Sequence, residues 1–543
     1  MTPMSEAPAP APNAAVGKER INTRAAGLIG IAVMCSRVLG LVRETVFAAL
    51  FGGGRDMDVF IAAFRIPNLL RDLFAEGALS TAFVTVFSRT IVTDGERAAW
   101  QLANKVMTLV TIFMSALTVL GILSAPLLVH FVAPLFDPAK AAMTIPLVRV
   151  MYPFILLVSL AALVMGMLNA RNVFGMPAMA SSFFNIGSIA GGVAVSWWLD
   201  PSFGPRALLG LAIGTLIGGI LQLGVQLPSL RRVGYHFRPD LHWRSDGMRQ
   251  ILRLMGPAVI AASSVQVNVL VNSQFASGLG DGPMTWLNNA FRLMQLPLGI
   301  FGVALGTVAL PVLARLAVHG HMTEFRTELA RAMRLSFVLT VPATIGLIVL
   351  AEPIMSVLYQ HGRFTVLQTV QAAGALQLYA FGLCAYATMK VLVNAFYAVN
   401  QRRTPMLISL LAMGLNALLC WLFVTRLGWG HRGLAASTAC IATANFLLLY
   451  VFMRRQLQSL DTRLLLATLA KVLVAGTALA VVAWAGEHYW LEDWAAQSFP
   501  ARALRLGVVM LLAGSAYVAT ALALRVREVG IIAHSIRRRF GRR

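Results

Sequence analysis

The residues of this chain that could do chemistry are charged side chains placed inside strongly apolar segments. Two such segments, "SRVLGLVRET" and "DVFIAAFRIPNLLRDLFAEGALS", lie near the N-terminus, and a third, "NAFRLMQLP", lies past the middle. The candidate site residues within them are Arg37, Arg43, Asp58, Arg65, Arg71, Glu76 and Arg292. A guanidinium group donates two parallel hydrogen bonds and matches the geometry of phosphate. The pattern therefore predicts a cationic, arginine-lined cavity that binds a multiply charged anion.

These charges are costly in a membrane, which is why they indicate function. Each one near the middle of a bilayer costs roughly 2.5 to 3.5 kcal/mol on insertion scales. For Glu44, Asp72, Arg149 and Lys471 we favour a structural role, in ion pairs or at helix ends. The basic groups in apolar segments nevertheless outnumber the acids, so several arginines should lack a protein counter-ion. Such cations need water or an anion beside them.

The spacing of the second segment predicts one polar helix face. At 100° per residue, Asp58, Arg65, Asp72 and Glu76 project to the same side, as a stripe facing a cavity would. Pro67 weakens this phasing because proline removes an amide donor and bends or breaks a helix. Arg71 projects from a different side, near that bend.

The elements that position these residues are membrane-spanning helices. The chain has 543 residues, of which 58% are hydrophobic and 12% charged, and its mean hydropathy is +0.73. Apolar runs long enough to cross a bilayer as helices recur along it. We therefore predict an all-α polytopic membrane protein with fourteen transmembrane helices.

An internal repeat divides these helices into two halves. "AFRIPNLLRDLFAEGALSTAFVTVFSR", from Ala63, aligns with "AFRLMQLPLGIFGVALGTVALPVLAR", from Ala290, and Asn169 aligns with Asn394. One unit spans six helices, so the copies are parallel repeats, typical of transporters that open alternately to either side. The predicted order is a disordered cytoplasmic tail (1–24), an N-lobe of helices 1 to 6 (25–230), a cytoplasmic basic loop (231–250), a C-lobe of helices 7 to 12 (251–456), helices 13 and 14 (457–526), and a basic cytoplasmic tail (527–543).

The net charge of +23 follows the membrane topology. Most Lys and Arg fall in segments predicted to be inside, and this asymmetry predicts that both termini are cytoplasmic. Basic clusters such as "RRRFGRR" then face anionic lipid headgroups, and we expect no nucleic-acid partner.

Enzyme and metal chemistry are disfavoured. The chain has no GxxxxGK[ST] loop, HExxH motif or GxSxG elbow. The four cysteines lie in apolar segments without CxxC spacing, and no histidine has a second ligand at metal spacing. We expect no catalytic residue, no metal site and no enzymatic activity.

The segments "SRVLGLVRE", "DVFIAAFRIPNLLRDLFAEGALS", "GVALGTVALPVLA" and "YPFILLVSLAALVMGMLNA" resemble the MurJ (MviN) family of bacterial lipid II flippases. That family belongs to the multidrug/oligosaccharidyl-lipid/polysaccharide exporter superfamily. The resemblance implies that lipid II, an undecaprenyl-pyrophosphate-linked disaccharide-peptide, moves from the cytoplasmic to the periplasmic leaflet of the inner membrane. It also implies that helices 13 and 14 form a groove for the lipid tail. Another lipid-linked oligosaccharide, or drugs, remain alternative cargoes.

The resemblance places the functional arginines at Arg37, Arg43, Arg71 and Arg292, and the acids at Asp58 and Glu76. We expect a monomer without cofactors, in contact with membrane lipids and with the cell-wall synthesis machinery as a candidate partner. The membrane potential or an ion gradient would drive the cycle. Some family members bind sodium through an Asp of helix 11, whereas helices 7, 11 and 12 of this chain contain no Asp or Glu, so the coupling ion stays unassigned.

Overall fold

The structure, a computed structural model, describes residues 23–72, 79–242, 244–491 and 497–531, and within them it contains helices and no strand. The first half of the chain forms α1 (Thr23–Phe51), α2 (Arg55–Leu70), α3 (Leu79–Thr93), α4 (Glu96–Leu123), α5 (Ala125–Val132), α6 (Pro138–Met151), α7 (Phe154–Ala170), α8 (Gly175–Leu199), α9 (Leu208–Gly224) and α10 (Leu227–Arg232). The second half forms α11 (Asp246–Ser277), α12 (Pro283–Pro297), α13 (Ala304–Val318), α14 (Met322–Val349), α15 (Ala351–Tyr359), α16 (Val366–Phe381), α17 (Leu383–Ala398), α18 (Arg403–Trp421), α19 (Gly430–Leu457), α20 (Thr462–Trp490) and α21 (Phe499–Ala523).

Helices are the expected response to a membrane, because lipid offers no hydrogen bonds to an exposed backbone. Among the described residues, ten helices are long and apolar enough to cross a bilayer, or eleven if the pair α16 and α17, bent by 40°, counts as one span. The prediction of an all-α polytopic membrane protein is confirmed. The count of fourteen stays a prediction.

Several predicted segments fall partly outside the described residues. The tail 1–24 is described only from residue 23, and the tail 527–543 only to residue 531. The loop predicted over 231–250 is shorter in the structure, because α10 continues to Arg232 and α11 begins at Asp246. This loop lies along α4, where the backbone amide of Arg238 donates to Asn104 Oδ1 at 3.1 Å.

Glycine lets α8 and α9 pack with almost no gap between their backbones. Gly192 and Gly214 face each other, and a Cβ atom added to Gly214 would collide with the Cα atom of Gly192. Where helices pack in lipid, small residues permit such close approach, and the gain comes from dispersion contacts. The contact fixes α8 against α9 and, through the packing of α8 on α1, supports the helix that carries Arg37 and Arg43.

We predict that Gly214→Ala destabilises the protein, because the added methyl group meets backbone atoms that cannot rotate away. The expected loss is about 1–3 kcal/mol, the usual range for overpacking, and thermal unfolding in detergent would measure it. Gly224→Ala is the matched control, because that glycine ends the same helix with open space around it. Equal melting temperatures for the two variants would contradict the packing argument.

Both helices that flank the lobe interface are interrupted just after a proline. In α2, Pro67 is followed by a π-helical turn at Arg71 and Asp72, and in α12, Pro297 is followed by a π-helical segment over Leu298–Val303. Proline removes one backbone donor, and π turns of this kind recur at functional sites. The two helices pack against each other, so both breaks lie beside the space between the lobes.

The lobes are joined by hydrogen bonds at the end of the bundle that carries the loop 52–54. There the amide of Gly53 donates to Gln368 Oε1 at 2.8 Å, and the amide of Leu135 donates to Ser277 Oγ at 3.2 Å. The amide of Arg363 donates to the carbonyl of Ala49 at 2.9 Å. By the predicted topology, this end faces away from the cytoplasm.

The last two helices attach to the second half through a core of their own. Helix α20 packs between α14 and α21, with Val341, Val472, Val509 and Ala513 in one buried cluster. The hydroxyl of Tyr517 donates to the carbonyl of Val338 at 2.7 Å. Helices α20 and α21 are thereby fixed to α14.

Candidate functional site

Four of the predicted arginines converge on the space between the lobes. Helix α1 carries Arg37 and Arg43, α2 carries Arg65, and α12 carries Arg292. Arg43, Arg65 and Arg292 line one small cavity of about 70 Å³. Helices from both halves of the chain therefore contribute cations to one place.

One carboxylate lies between two of these cations. Arg292 Nε is 2.9 Å from Glu44 Oε1, and Arg43 Nη2 is 3.6 Å from the same oxygen. Arg43 also lies over the ring of Phe184, 5.4 Å from its centroid. The second oxygen, Glu44 Oε2, is buried without a hydrogen-bond partner among the described residues. Glu44 thus bridges the lobes through Arg292 but neutralises only one of its two arginine neighbours.

Arg37 and Arg65 carry the excess positive charge. Within the described part of the chain, no ion pair joins either of them to a carboxylate. The guanidinium of Arg37 lies directly against Gly299, where any side chain would collide with it. It also lies near enough to Lys390 for the two charges to repel each other. This group of cations is chemically suited to an anion with several charges.

Asp58 is fully buried at the lobe interface, in contact with the N-terminus of α12. Its carboxylate accepts from the amide of Gly282 at 2.8 Å, from the amide of Thr285 at 2.9 Å, and from the hydroxyl of Thr285 at 2.7 Å. It also pairs with Lys140 Nζ at 3.1 Å. A carboxylate is favourable at a helix N-terminus, where amides lack intrahelical partners.

Lys140 completes a set of groups that we call the interlobe latch: Asp58, Lys140, Gly280, Asp281, Gly282 and Thr285. Lys140 is only 2% exposed and binds the carbonyl of Gly280 at 3.0 Å and Asp281 Oδ1 at 3.1 Å. At the rim, Arg55 pairs with Asp137 at 2.7 Å. The amide of Lys140 is the main cause that lowers the pKa of the exposed Asp137 carboxyl, and Arg55 lowers it further. The latch closes one end of the space between the lobes with buried charge.

The placement of Asp58 differs from the predicted stripe. Asp58 lies in the first turn of α2, whereas Arg65 lies about 10 Å further along the helix axis at 1.5 Å per residue. The two side chains therefore share a helix face but lie at different depths along the helix. Asp58 pairs with Lys140, whereas Arg65 lines the cavity. Asp72 pairs with Arg71 at 2.9 Å and accepts from Gln266 Nε2 at 3.2 Å. Glu76 lies outside the described residues.

Two further groups belong to the site although the sequence analysis did not place them there. An ion pair of Glu44 is expected from the sequence and is present, but its partner Arg292 depends on a contact between the two halves that sequence spacing does not show. Lys140 lies in an ordinary-looking segment, "DPAKAAM", that carries no motif. The only available signal was the adjacency of Glu44 to Arg43.

Predicted helices 7, 11 and 12 are α11, α18 and α19 in the structure, and several of their polar residues bind one another. Asn272 Nδ2 donates to Thr438 Oγ1 at 3.1 Å, and Asn272 Oδ1 accepts from Asn416 Nδ2 at 3.3 Å and from Cys420 Sγ at 3.2 Å. Within the ranges that the structure describes, no group of three or more His, Cys, Asp or Glu could hold a metal ion. A hard cation usually requires several oxygens that include a carboxylate, so this network does not favour sodium.

Comparisons with known proteins identify the family of the chain. The family model described as "Lipid II flippase MurJ" matches residues 47–504. The lipid II flippase MurJ of Burkholderia cenocepacia is 35% identical over 78% of this chain and 82% of its own length. The probable lipid II flippase MurJ of Vibrio cholerae is 33% identical over 92% of this chain and 95% of its own length.

The chain belongs to the lipid II flippase MurJ family.

Solved structures show the same fold. A lipid II flippase MurJ in an inward closed conformation superposes with a TM-score of 0.75 and 24% identity, covering 91% of this chain and 99% of its own. An inward-facing multidrug resistance MATE transporter gives 0.68 at 13% identity, covering 80% and 99%. As a MurJ family member, the protein is a transporter rather than an enzyme, has several membrane spans, and acts in peptidoglycan biosynthesis at the inner membrane.

We predict that Lys140→Met lowers the free energy of unfolding by about 3–5 kcal/mol, because it leaves the buried Asp58 charge unpaired. The double variant Asp58→Asn/Lys140→Met should lose less than the sum of the two single variants, since it removes both charges. Thermal unfolding of the four proteins would measure this coupling. As a control, Arg55→Gln at the exposed rim pair should cost less than about 1 kcal/mol. Additive losses at Asp58 and Lys140 would contradict the buried pair.

Proposed function

We propose that the protein moves lipid II from the cytoplasmic to the periplasmic leaflet by alternating access. In this proposal, Arg37, Arg43, Arg65 and Arg292 bind the pyrophosphate of lipid II. The observation that carries the proposal is the charge excess between the lobes. In the described residues, Arg37 and Arg65 have no carboxylate partner, and Arg43 shares one carboxylate with Arg292. A pyrophosphate supplies the missing negative charge and several acceptor oxygens at once.

In this mechanism Glu44 occupies the place of the anion when the cavity is empty. Its bridge to Arg292 limits the repulsion between arginines and keeps the lobes together. A bound pyrophosphate competes for the same guanidinium groups and frees Glu44. Glu76 acts as a further acid that pairs with arginines in other states, and Arg71 holds the lobes near the break in α2.

The interlobe latch controls the other end of the cavity. While Asp58 holds the N-terminus of α12 and Lys140, the space between the lobes is closed at the end that the topology places outside. Release of the headgroup to the periplasm requires these bonds to separate. When these bonds separate, water solvates the exposed charges, so their separation costs little free energy. The ion pairs of the latch are therefore strong while they are buried and weak once water reaches them.

Helices α20 and α21 accommodate the lipid tail in this proposal. Their outer faces expose large apolar side chains, among them Val481, Trp484, Leu504 and Leu511. These faces suit an isoprenoid chain and membrane lipids. The cell-wall synthesis machinery remains a candidate partner, and we expect a monomer with both termini in the cytoplasm.

A drug exporter of the same superfamily is a weaker alternative. Drugs handled by such exporters are commonly cations, and the arginines between the lobes repel cations. A different lipid-linked oligosaccharide would satisfy the same arginines. Measuring the flipping of that lipid and of lipid II side by side distinguishes these two cargoes.

We predict that depleting the protein makes lipid II accumulate in the inner leaflet, as measured by a probe that reaches only the outer face. Arg43→Gln and Arg65→Gln, each as the sole copy at normal protein levels, should leave less than about a tenth of the wild-type outer-leaflet signal, because charge-assisted bonds to the anion are lost. Arg249→Gln, on the exposed start of α11, is the control and should behave as wild type. An unchanged distribution of lipid II after depletion would overturn the proposal.

We predict that the membrane potential drives the cycle and that sodium does not. Moving one charge across the membrane is worth about 2.3 kcal/mol per 100 mV, and the cavity carries unpaired cations. In proteoliposomes, collapsing the potential with an ionophore should slow flipping at least several-fold, whereas replacing sodium with potassium should leave the rate unchanged. A requirement for sodium would contradict this assignment.

A further inference from the structure

A further space of functional interest is a cavity in the second lobe, lined by both apolar and polar side chains, which we call the amide cavity. It has a volume of about 290 Å³ and lies among α11, α12, α17, α18 and α19. Arg65 of the first lobe lines it and also lines the small cavity that contains Arg43 and Arg292. The amide cavity therefore begins where the proposed pyrophosphate site ends.

The polar groups of the amide cavity fall into two layers. The first layer is Asn272, Asn416 and Thr438, which are hydrogen-bonded to one another and to Cys420. These side chains satisfy one another's hydrogen-bonding capacity, and their bonds hold α11, α18 and α19 together.

The second layer is different, because its side chains have no hydrogen-bond partner among the described residues. Asn268, Asn288, Tyr386, Ser409 and Asn445 line the same cavity, and none of their side chains makes a hydrogen bond to another described residue. The oxygen Asn268 Oδ1 is shielded from solvent and has no partner. Leaving a buried polar atom unpaired is costly, so Asn268 Oδ1 calls for a ligand or water. The other four side chains are half-buried and line the same space.

The chemistry of this layer indicates an uncharged ligand rich in hydroxyl and amide groups. A carboxamide side chain both donates and accepts hydrogen bonds, so the three asparagines can bind the hydroxyl and acetamido groups of a sugar. Phe291 and Tyr379 line the cavity with their rings 5.4 Å apart in an edge-to-face arrangement, and such rings pack against the apolar faces of a sugar. No carboxylate lines the cavity among the described residues, which disfavours a cation.

We propose that the amide cavity binds a sugar ring of the lipid-linked headgroup while the arginines hold its pyrophosphate. This inference rests on the proposed function. The volume is near the lower limit for small-molecule sites, so the cavity takes one ring and leaves the rest of the headgroup in the space between the lobes. Arg65 lies at the junction, where the bond between phosphate and sugar would pass.

The experiment compares two ligands that differ only beyond the pyrophosphate: lipid II and undecaprenyl pyrophosphate. Binding of each to the purified full-length protein in nanodiscs is measured for the wild type, Asn268→Leu, Asn445→Leu and the double variant; both asparagines line the amide cavity and neither lines the arginine cavity. We expect the wild type to bind lipid II more tightly. Each single variant should weaken lipid II binding about 3- to 10-fold, since one or two hydrogen bonds are lost, and should leave undecaprenyl pyrophosphate binding unchanged, which also shows that the variant is folded.

Controls separate this inference from the proposed function. Thr443→Val lies on the same helix as Asn445, bonds only to its own backbone among the described residues and is exposed, so it should change neither affinity. Tyr386→Phe should weaken lipid II binding alone, as the asparagine variants do. Equal affinities of the wild type for both ligands, or equal losses in the asparagine variants, would overturn the sugar site while leaving the flippase intact. Failure of the wild type to bind either ligand would overturn the proposed function itself.

Discussion

The structure depends on a mismatch of charge between its two halves. Arginines from α1, α2 and α12 meet in a space that the described residues supply with only one bridging carboxylate, Glu44. In a setting with little water, such a mismatch cannot be offset by solvation alone. It makes the empty protein incomplete, and the arrangement of the lobes becomes sensitive to whatever anion enters. A cavity balanced by equal numbers of acids and bases would lack this sensitivity.

The two charged regions between the lobes have opposite characters. At the latch, Asp58 and Lys140 form a buried, fully hydrogen-bonded pair, and Lys140 also pairs with the half-exposed Asp281. Around Glu44, the charges are partly exposed and unequal. A buried pair resists separation until water reaches it, whereas an unequal group rearranges when a ligand adds charge. Under the proposed function, this contrast gives the lobes one end that is closed by its own bonds and a centre that responds to cargo.

Much of the fold could be predicted from the sequence because its signals are local. Apolar length predicts helices, and the aligned copies at Ala63 and Ala290 predict equivalent segments; in the structure both are broken just after a proline, at Pro67 and Pro297. An arginine within an apolar run can be recognised in the sequence without knowledge of any tertiary contact. The pairing of Lys140 with Asp58 could not be predicted, because it joins a loop-proximal lysine to a helix start through tertiary packing. The depth of Asp58 was missed because helical phasing describes the angle around a helix and not the position along it.

A cargo that spans the lobes offers a physical route from binding to motion. The arginines belong to both lobes, whereas the amide cavity belongs to the second lobe apart from Arg65. A headgroup bound at both places therefore contacts the lobes unequally, and only the arrangement that brings Arg65 to the mouth of the amide cavity satisfies phosphate and sugar together. A ligand shifts a conformational equilibrium only by its difference in affinity for the two states. Pyrophosphate alone would satisfy the arginines in more than one lobe arrangement, whereas the complete headgroup selects one. Recognition of the sugar by the second lobe would in this way make movement conditional on the correct cargo, beyond holding it in place.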